Sequence, residues 1–270
     1  VAGTFSYSGS AVHEQRVAAA ETFGTTSGST NWSFVNLRFT NSAGVSATVT
    51  TNSGGSGTVT VTSVMTVGLA TDSARTVLDA GARTWTLSGT GGDPLLVDDV
   101  TTGSRITGST STFAYTGANG AGNTNVENNA SATYYNLKIG GASLCTNDTY
   151  DLEGAIDVDN DLTIQACGTF DTVTGQNYGI TIGGSYVNSG ALTARSGTIT
   201  FDAGSGSKTL SGTLTGASAF YNITFNNASG GWSFGSTSAA VTNDFVITNG
   251  TVTGSSGTIT INDDYSNSGT

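Results

Sequence analysis

The 270-residue chain holds one proline, one histidine and two cysteines, and only 10% of its residues are charged. A disordered segment of this polarity would carry more charge or proline and fewer β-formers. Eight basic residues against nineteen acidic ones leave a net charge of −11, with no basic cluster. Nucleic acid and anionic membrane surfaces are therefore excluded as expected partners. No stretch approaches 18 apolar residues, so no membrane insertion is expected. No charged segment followed by an apolar one opens the chain. An exported form would have lost its signal or carry it upstream.

Small polar residues fill the space that charge leaves. There are 39 glycines, and hydrophobic residues make up 36% of the chain. The apolar residues stand in short alternating runs rich in Val, Ile, Thr, Tyr and Phe, the composition of strands. Period-2 alternation places Tyr135, Leu137 and Ile139 on one face and Asn136 and Lys138 on the other.

Motifs recur in order. Val35-Asn36-Leu37-Arg38-Phe39 returns as Tyr135-Asn136-Leu137-Lys138-Ile139 and as Tyr221-Asn222-Ile223-Thr224-Phe225. The last two copies are 222 − 136 = 86 residues apart. Thr112-Phe113-Ala114-Tyr115 and Thr198-Ile199-Thr200-Phe201 share that offset, and Thr4-Phe5-Ser6-Tyr7 is an N-terminal copy. Ile180-Thr181-Ile182 with Tyr186 returns as Ile259-Thr260-Ile261 with Tyr265. Within the large unit, strand-like runs begin roughly 18 to 26 residues apart, the length of a solenoid coil.

These features predict an all-β chain folded as a single right-handed parallel β-helix over residues 1–270, of roughly a dozen coils. Its internal units are about 1–110, 111–197 and 198–270, the last incomplete. Asn36, Asn136 and Asn222 are the expected ladder positions. The alternative is a tandem of β-sandwich domains, since about 86 residues also suits such a module. Scarce proline and the finer coil period argue against it, as does the lack of a core Trp flanked by Cys. Trp32, Trp85 and Trp232 read as having no common phase. Two stretches break the pattern. Val12–Phe23, with Ala18-Ala19-Ala20, reads as an inserted helix or loop, and Gly91–Arg105, with Asp98-Asp99, as a surface insertion.

Residues with chemistry are few. His13 is the sole histidine and reads as a solvated loop residue, without the nucleophile and acid that a triad needs. Asp157, Asp159 and Asp161 alternate like the start of a calcium loop, but the glycine and distal glutamate do not follow. They read as a solvated acidic edge, and Asp263-Asp264 offers no support for a glycosidase dyad. Thr-x-Thr triplets recur at Thr58, Thr84, Thr198, Thr251 and Thr258, consistent with strand propensity or with a surface-binding array. N-x-Ser/Thr sequons begin at Asn31, Asn129, Asn147, Asn222, Asn227 and Asn249. No catalytic residue, cofactor or metal site is expected. Cys145 and Cys167 stand 167 − 145 = 22 residues apart, about one coil, which predicts a disulfide between stacked positions.

Phe220–Asn227, then Asn243–Ile247, then Gly257–Gly269, resemble the β-strand repeats of large bacterial surface proteins. Autotransporter-like and filamentous-haemagglutinin-like adhesins are among them. The resemblance implies a parallel β-helix, export to the extracellular space or cell surface, and a structural or adhesive role. It carries over no catalytic residue.

The expected function is a non-enzymatic subunit or segment of a surface fibre. A carbohydrate-binding or carbohydrate-active β-helix and an ice- or surface-binding module are the alternatives. Expected partners are copies of the chain, head to tail, and surface glycans or other matrix components. The motif phase supports stacking. Asn267-Ser268-Gly269-Thr270 matches Asn188 to Ala191, and Val1 to Tyr7 matches Arg195 to Phe201. Joining end to beginning nearly completes a coil.

Overall fold

A computed structural model describes residues 5–6, 12–24, 30–51, 56–117, 122–128, 130–142 and 148–270. The chain is all-β, with parallel strands stacked as a β-solenoid of about ten turns. The sole helical segment among the described residues is a single 3-10 turn, Gly216–Ser218. The chain divides into two compact units, Val1–Asn136 and Leu137–Thr270.

In the first unit each coil contributes strands to three parallel sheets. Phe5–Ser6, Trp32–Phe34, Thr58–Val61, Thr84–Leu87 and Thr112–Tyr115 stack in the first. Val12–Val17, Asn36–Asn41, Met65–Val67 and Leu95–Val97 form the second. Glu21–Phe23, Ala47–Thr51, Thr76–Asp79 and Arg105–Thr107 form the third. Registers fix the coil lengths: 59 − 32 = 27, 84 − 58 = 26 and 112 − 84 = 28 residues. These long coils are why the chain makes about ten turns rather than a dozen.

The second unit uses shorter coils. Ile156, Ile180, Ile199, Ile223, Phe245 and Tyr265 form one column. Its steps are 180 − 156 = 24, 199 − 180 = 19, 223 − 199 = 24, 245 − 223 = 22 and 265 − 245 = 20 residues. Leu162, Tyr186 and Leu210 form a second column, and Tyr150, Phe170 and Leu192 a third. The strand Asn222–Ser233 turns a corner: Phe225 pairs with Phe201, and Gly231 with Ser207. Register shifts at Asn226 accommodate the bend, as bulges do.

Alternation explains which side chains fill the coils. In Ile180–Ile182 both isoleucines are buried and Thr181 faces out, and Thr84–Leu87 repeats the pattern. Stacked coils bring inward rings face to face. Trp85 lies 6.1 Å from Phe113 at 9°, and Phe201 lies 5.2 Å from Phe225 at 18°. Where coils turn, backbones nearly touch. A Cβ on Gly117 would stand 1.7 Å from the Gly89 carbonyl oxygen, so only glycine fits there.

Three sequence expectations are corrected. Val12–Phe23 is no helix. It forms the strands Val12–Val17 and Glu21–Phe23, paired with Asn36–Asn41 and Ala47–Thr51. Parallel pairing along a whole coil outweighs the helix propensity of three alanines, which lie between the strands. Much of Gly91–Arg105 is likewise part of the coil, because Leu95–Val97 pairs with Met65–Val67. Only residues 98–104 loop out, closed by the Ser104 amide donating to the Asp98 carbonyl at 2.8 Å. Trp32 and Trp85 do share a phase, since both flank Val59 in the first sheet, two coils apart.

The ladder asparagines act as clips between neighbouring coils. Asn36 Oδ1 accepts the Val64 amide at 3.3 Å, and Asn222 Oδ1 accepts the Asp244 amide at 3.2 Å. Asn136 Nδ2 donates to the Ser111 carbonyl at 3.3 Å. The motif copies occupy different faces. Leu137 stacks on Leu162, whereas Ile223 stacks on Ile199 and Phe245.

Candidate functional site

Four places carry exposed polar chemistry or unsatisfied edges. The first is the outer face of the first sheet. Thr58 and Thr60 stand in register with Thr84 and Thr86, Thr84 pairs with Thr112, and Ser33 pairs with Thr60. All six are half-buried and point away from the core residues Val59, Trp85 and Phe113. Coils stack about 4.8 Å apart and alternate residues lie about 7 Å apart along a strand. The result is an uncharged grid of hydroxyls and methyls on a regular lattice. Sequence reading saw the triplets but not that successive coils align them.

The second is a polar groove of about 260 Å³ beside the second sheet, lined by Glu14, Arg16, Thr40, Asn41, Asp72 and Ser73, among others. Its carboxylates are occupied. Asp72 Oδ2 accepts the amides of Asn41 and Leu69, both at 3.0 Å, and Glu14 accepts the Thr40 hydroxyl at 2.6 Å. Asp72 clasps the turn at residues 69–73 to the sheet, and Glu14 ties two neighbouring strands. His13, in the same strand as Glu14, is half-buried, and its ring lies 5.0 Å from Phe34. It packs against the core instead of standing in a solvated loop.

The third is acidic. Asp157 faces outward from Ile156–Val158, while Asp159 and Asp202 follow corners of coils separated by the coil that carries Gly183. Burial, then the nearby Asp202 and Asp159 charges, raises the Asp157 pKa from its ordinary value. Burial and the Asp159 charge likewise raise that of Asp202, against a lowering backbone hydrogen bond. Asp161 belongs to a separate contact, accepting the Ser185 amide at 2.8 Å. The aspartates therefore span a corner and do not form one edge. Among the described residues no group of three His, Cys, Asp or Glu side chains is arranged to hold a metal ion. Asp263 and Asp264 are exposed beside the last strand.

The fourth is the last coil. Ile259–Ile261 pairs with Ala239–Val241, and Tyr265–Asn267 with Phe245–Ile247, each on one side. Tyr265 stacks 5.6 Å from Phe245, yet it is 57% exposed where Phe245 is 3% exposed.

Cys167 is buried. Its predicted partner, Cys145, lies outside the described residues, as do the sequon residues Asn129 and Asn147. Comparison with known proteins gives no match: no family model, no curated protein and no solved structure is significantly similar to the chain.

Proposed function

We propose that the chain is a non-enzymatic structural solenoid, a subunit or segment of an extracellular or cell-surface fibre or adhesin, in which further coils stack on the one that carries Tyr265. Tyr265 carries this reading. A series of ring contacts runs Phe201, Phe225, Phe245, Tyr265 at separations of 5.2, 5.6 and 5.6 Å, crossing from the Phe201–Phe225 column to the neighbouring Ile223–Phe245–Tyr265 column. Every ring before Tyr265 is buried by the coil that follows it. A further coil, of the same polypeptide or of another copy, would bury Tyr265 in the same way and pair the strand edges of this turn. Such a head-to-tail contact does not close, so it propagates. The clasping role of the groove carboxylates and the core packing of His13 support a structural rather than a catalytic reading.

The 270-residue chain is expected to self-associate in sedimentation velocity as its concentration rises. Tyr265→Asp should weaken that association by about tenfold or more, because a charge would replace a central apolar anchor. The residue is exposed, so the fold should persist. A chain that stays monomeric at millimolar concentration, or a variant that associates as before, would overturn the proposal.

The hydroxyl grid favours a second reading, adhesion to an ordered surface such as ice. Its lattice has the regularity that an ordered water layer requires, and it carries no charge. Purified protein is then expected to partition into a growing ice front, and Thr84→Lys should abolish the partitioning. Full exclusion of the unsubstituted chain from ice would remove this reading and leave the first untouched.

A further inference from the structure

Arg83 is fully buried, at 0% exposure, and among the described residues no carboxylate pairs with it. Its guanidinium lies over the Trp32 ring, 5.1 Å from the centroid. Nη1 donates to the Thr30 carbonyl at a long 3.4 Å, while Nε and Nη2 have no hydrogen-bond partner. Thr30 lies two coils before Arg83, and in the intervening coil the position equivalent to Arg83 is the buried Gly57. The absence of a side chain there lets the arginine run along the corner. The position one coil later is Ser111, also fully buried, and its Oγ has no partner either. Ser111 lies on the side away from the guanidinium, so the unpaired Nε and Nη2 donors stand by themselves, a rare arrangement because buried polar groups are ordinarily bonded. A desolvated cation without an anion is costlier still.

The open edge has a specific geometry. Nε and Nη2 project their N–H bonds in parallel, as a fork that matches two oxygens of one acceptor. The same protein shows such a fork filled. Arg195 Nε donates to Asp171 Oδ1 at 2.9 Å, and its Nη2 to Asp171 Oδ2 at 2.6 Å. Arg83 presents the same pair of nitrogens with no carboxylate opposite. We propose that Arg83 binds a small inorganic oxyanion, of the phosphate or sulfate class, across its Nε–Nη2 edge. The ligand would be enclosed with the guanidinium as the coils stack and would be retained until they open. The site is independent of the last coil and of the hydroxyl grid.

Retention makes the test direct. The full chain, purified from a phosphate- and sulfate-containing medium, is dialysed exhaustively into Tris–chloride and then denatured. Ion chromatography of the released anions is expected to find about one phosphate or sulfate per chain, and its identity distinguishes the two. Release of neither would overturn the proposal without any variant. Arg83→Met should abolish the release. It should also remove the saturable rise in melting temperature that phosphate or sulfate gives the unsubstituted chain refolded in chloride. An equal rise in both proteins would assign the effect to general salt action and sink the site. Should Arg83→Met fail to fold, Arg83→Lys keeps the charge and loses the fork, and it should retain about a tenth of the anion or less. Undiminished retention by the lysine variant would equally refute fork recognition.

Discussion

Phe225→Ala is expected to destabilise the second unit by about 3–5 kcal/mol, the cost of removing a fully enclosed phenyl ring and leaving a cavity. Phe225 is 0% exposed, and its ring lies 5.2 Å from Phe201, 5.2 Å from Trp232 and 5.6 Å from Phe245. These neighbours belong to the coils on either side and to the bend of its own strand. The column is backed by short, well-paired strands, so the site cannot easily collapse around a smaller side chain. A loss of that size would take a large part of the 5–15 kcal/mol that commonly separates folded and unfolded domains. Because solenoid coils are stabilised by their neighbours, hydrogen exchange should quicken first in residues 199–247. Thr224→Ala is the control. Thr224 belongs to the same strand but points outward, and its truncation should cost under about 1 kcal/mol. Equal losses from both substitutions in urea denaturation would show that the inward column does not carry the stability assigned to it.

Reduction of a Cys145–Cys167 bridge is expected to cost about 3 kcal/mol, the loop-closure entropy of a ring of this length. The backbone around the described cysteine supports the pairing. The Cys167 amide donates to the Gly141 carbonyl at 3.1 Å, and the Cys167 carbonyl accepts the Asp148 amide, also at 3.1 Å. Gly141 and Asp148, described residues on either side of Cys145 in the sequence, thus both bond to Cys167. Alkylation of native, unreduced protein should label no thiol, and reductant should lower the denaturation midpoint. Two labelled thiols in native material would show that the bridge is absent.

Much of the fold was legible because a solenoid writes its period along the chain. The alternation in Ile180-Thr181-Ile182 and Tyr135 to Ile139, with few prolines and many small residues at the corners, was enough for stacked parallel strands. The motif spacing was legible as well, but it misled about equivalence. Each face of a coil asks for the same short alternating strand, so a sequence match does not say which face a copy occupies. Leu137 and Ile223 head similar motifs and belong to different columns. The Val12–Phe23 segment failed for a related reason. Its alanines favour helix locally, while its residues gain an entire row of hydrogen bonds by pairing with Asn36–Asn41.

The sequence by itself determined the strands with clear alternation, and their inward and outward sense, because these depend on neighbours one or two residues apart. Register between coils was decided only in three dimensions. It turns on how many residues each corner consumes, and coil lengths from 19 to 28 residues cannot be read from local pattern. Register then decided everything that bears on function. It aligned Thr58, Thr84 and Thr112 into a grid, let Arg83 run past Gly57 to Thr30, and set Tyr265 on the column of Ile223 and Phe245.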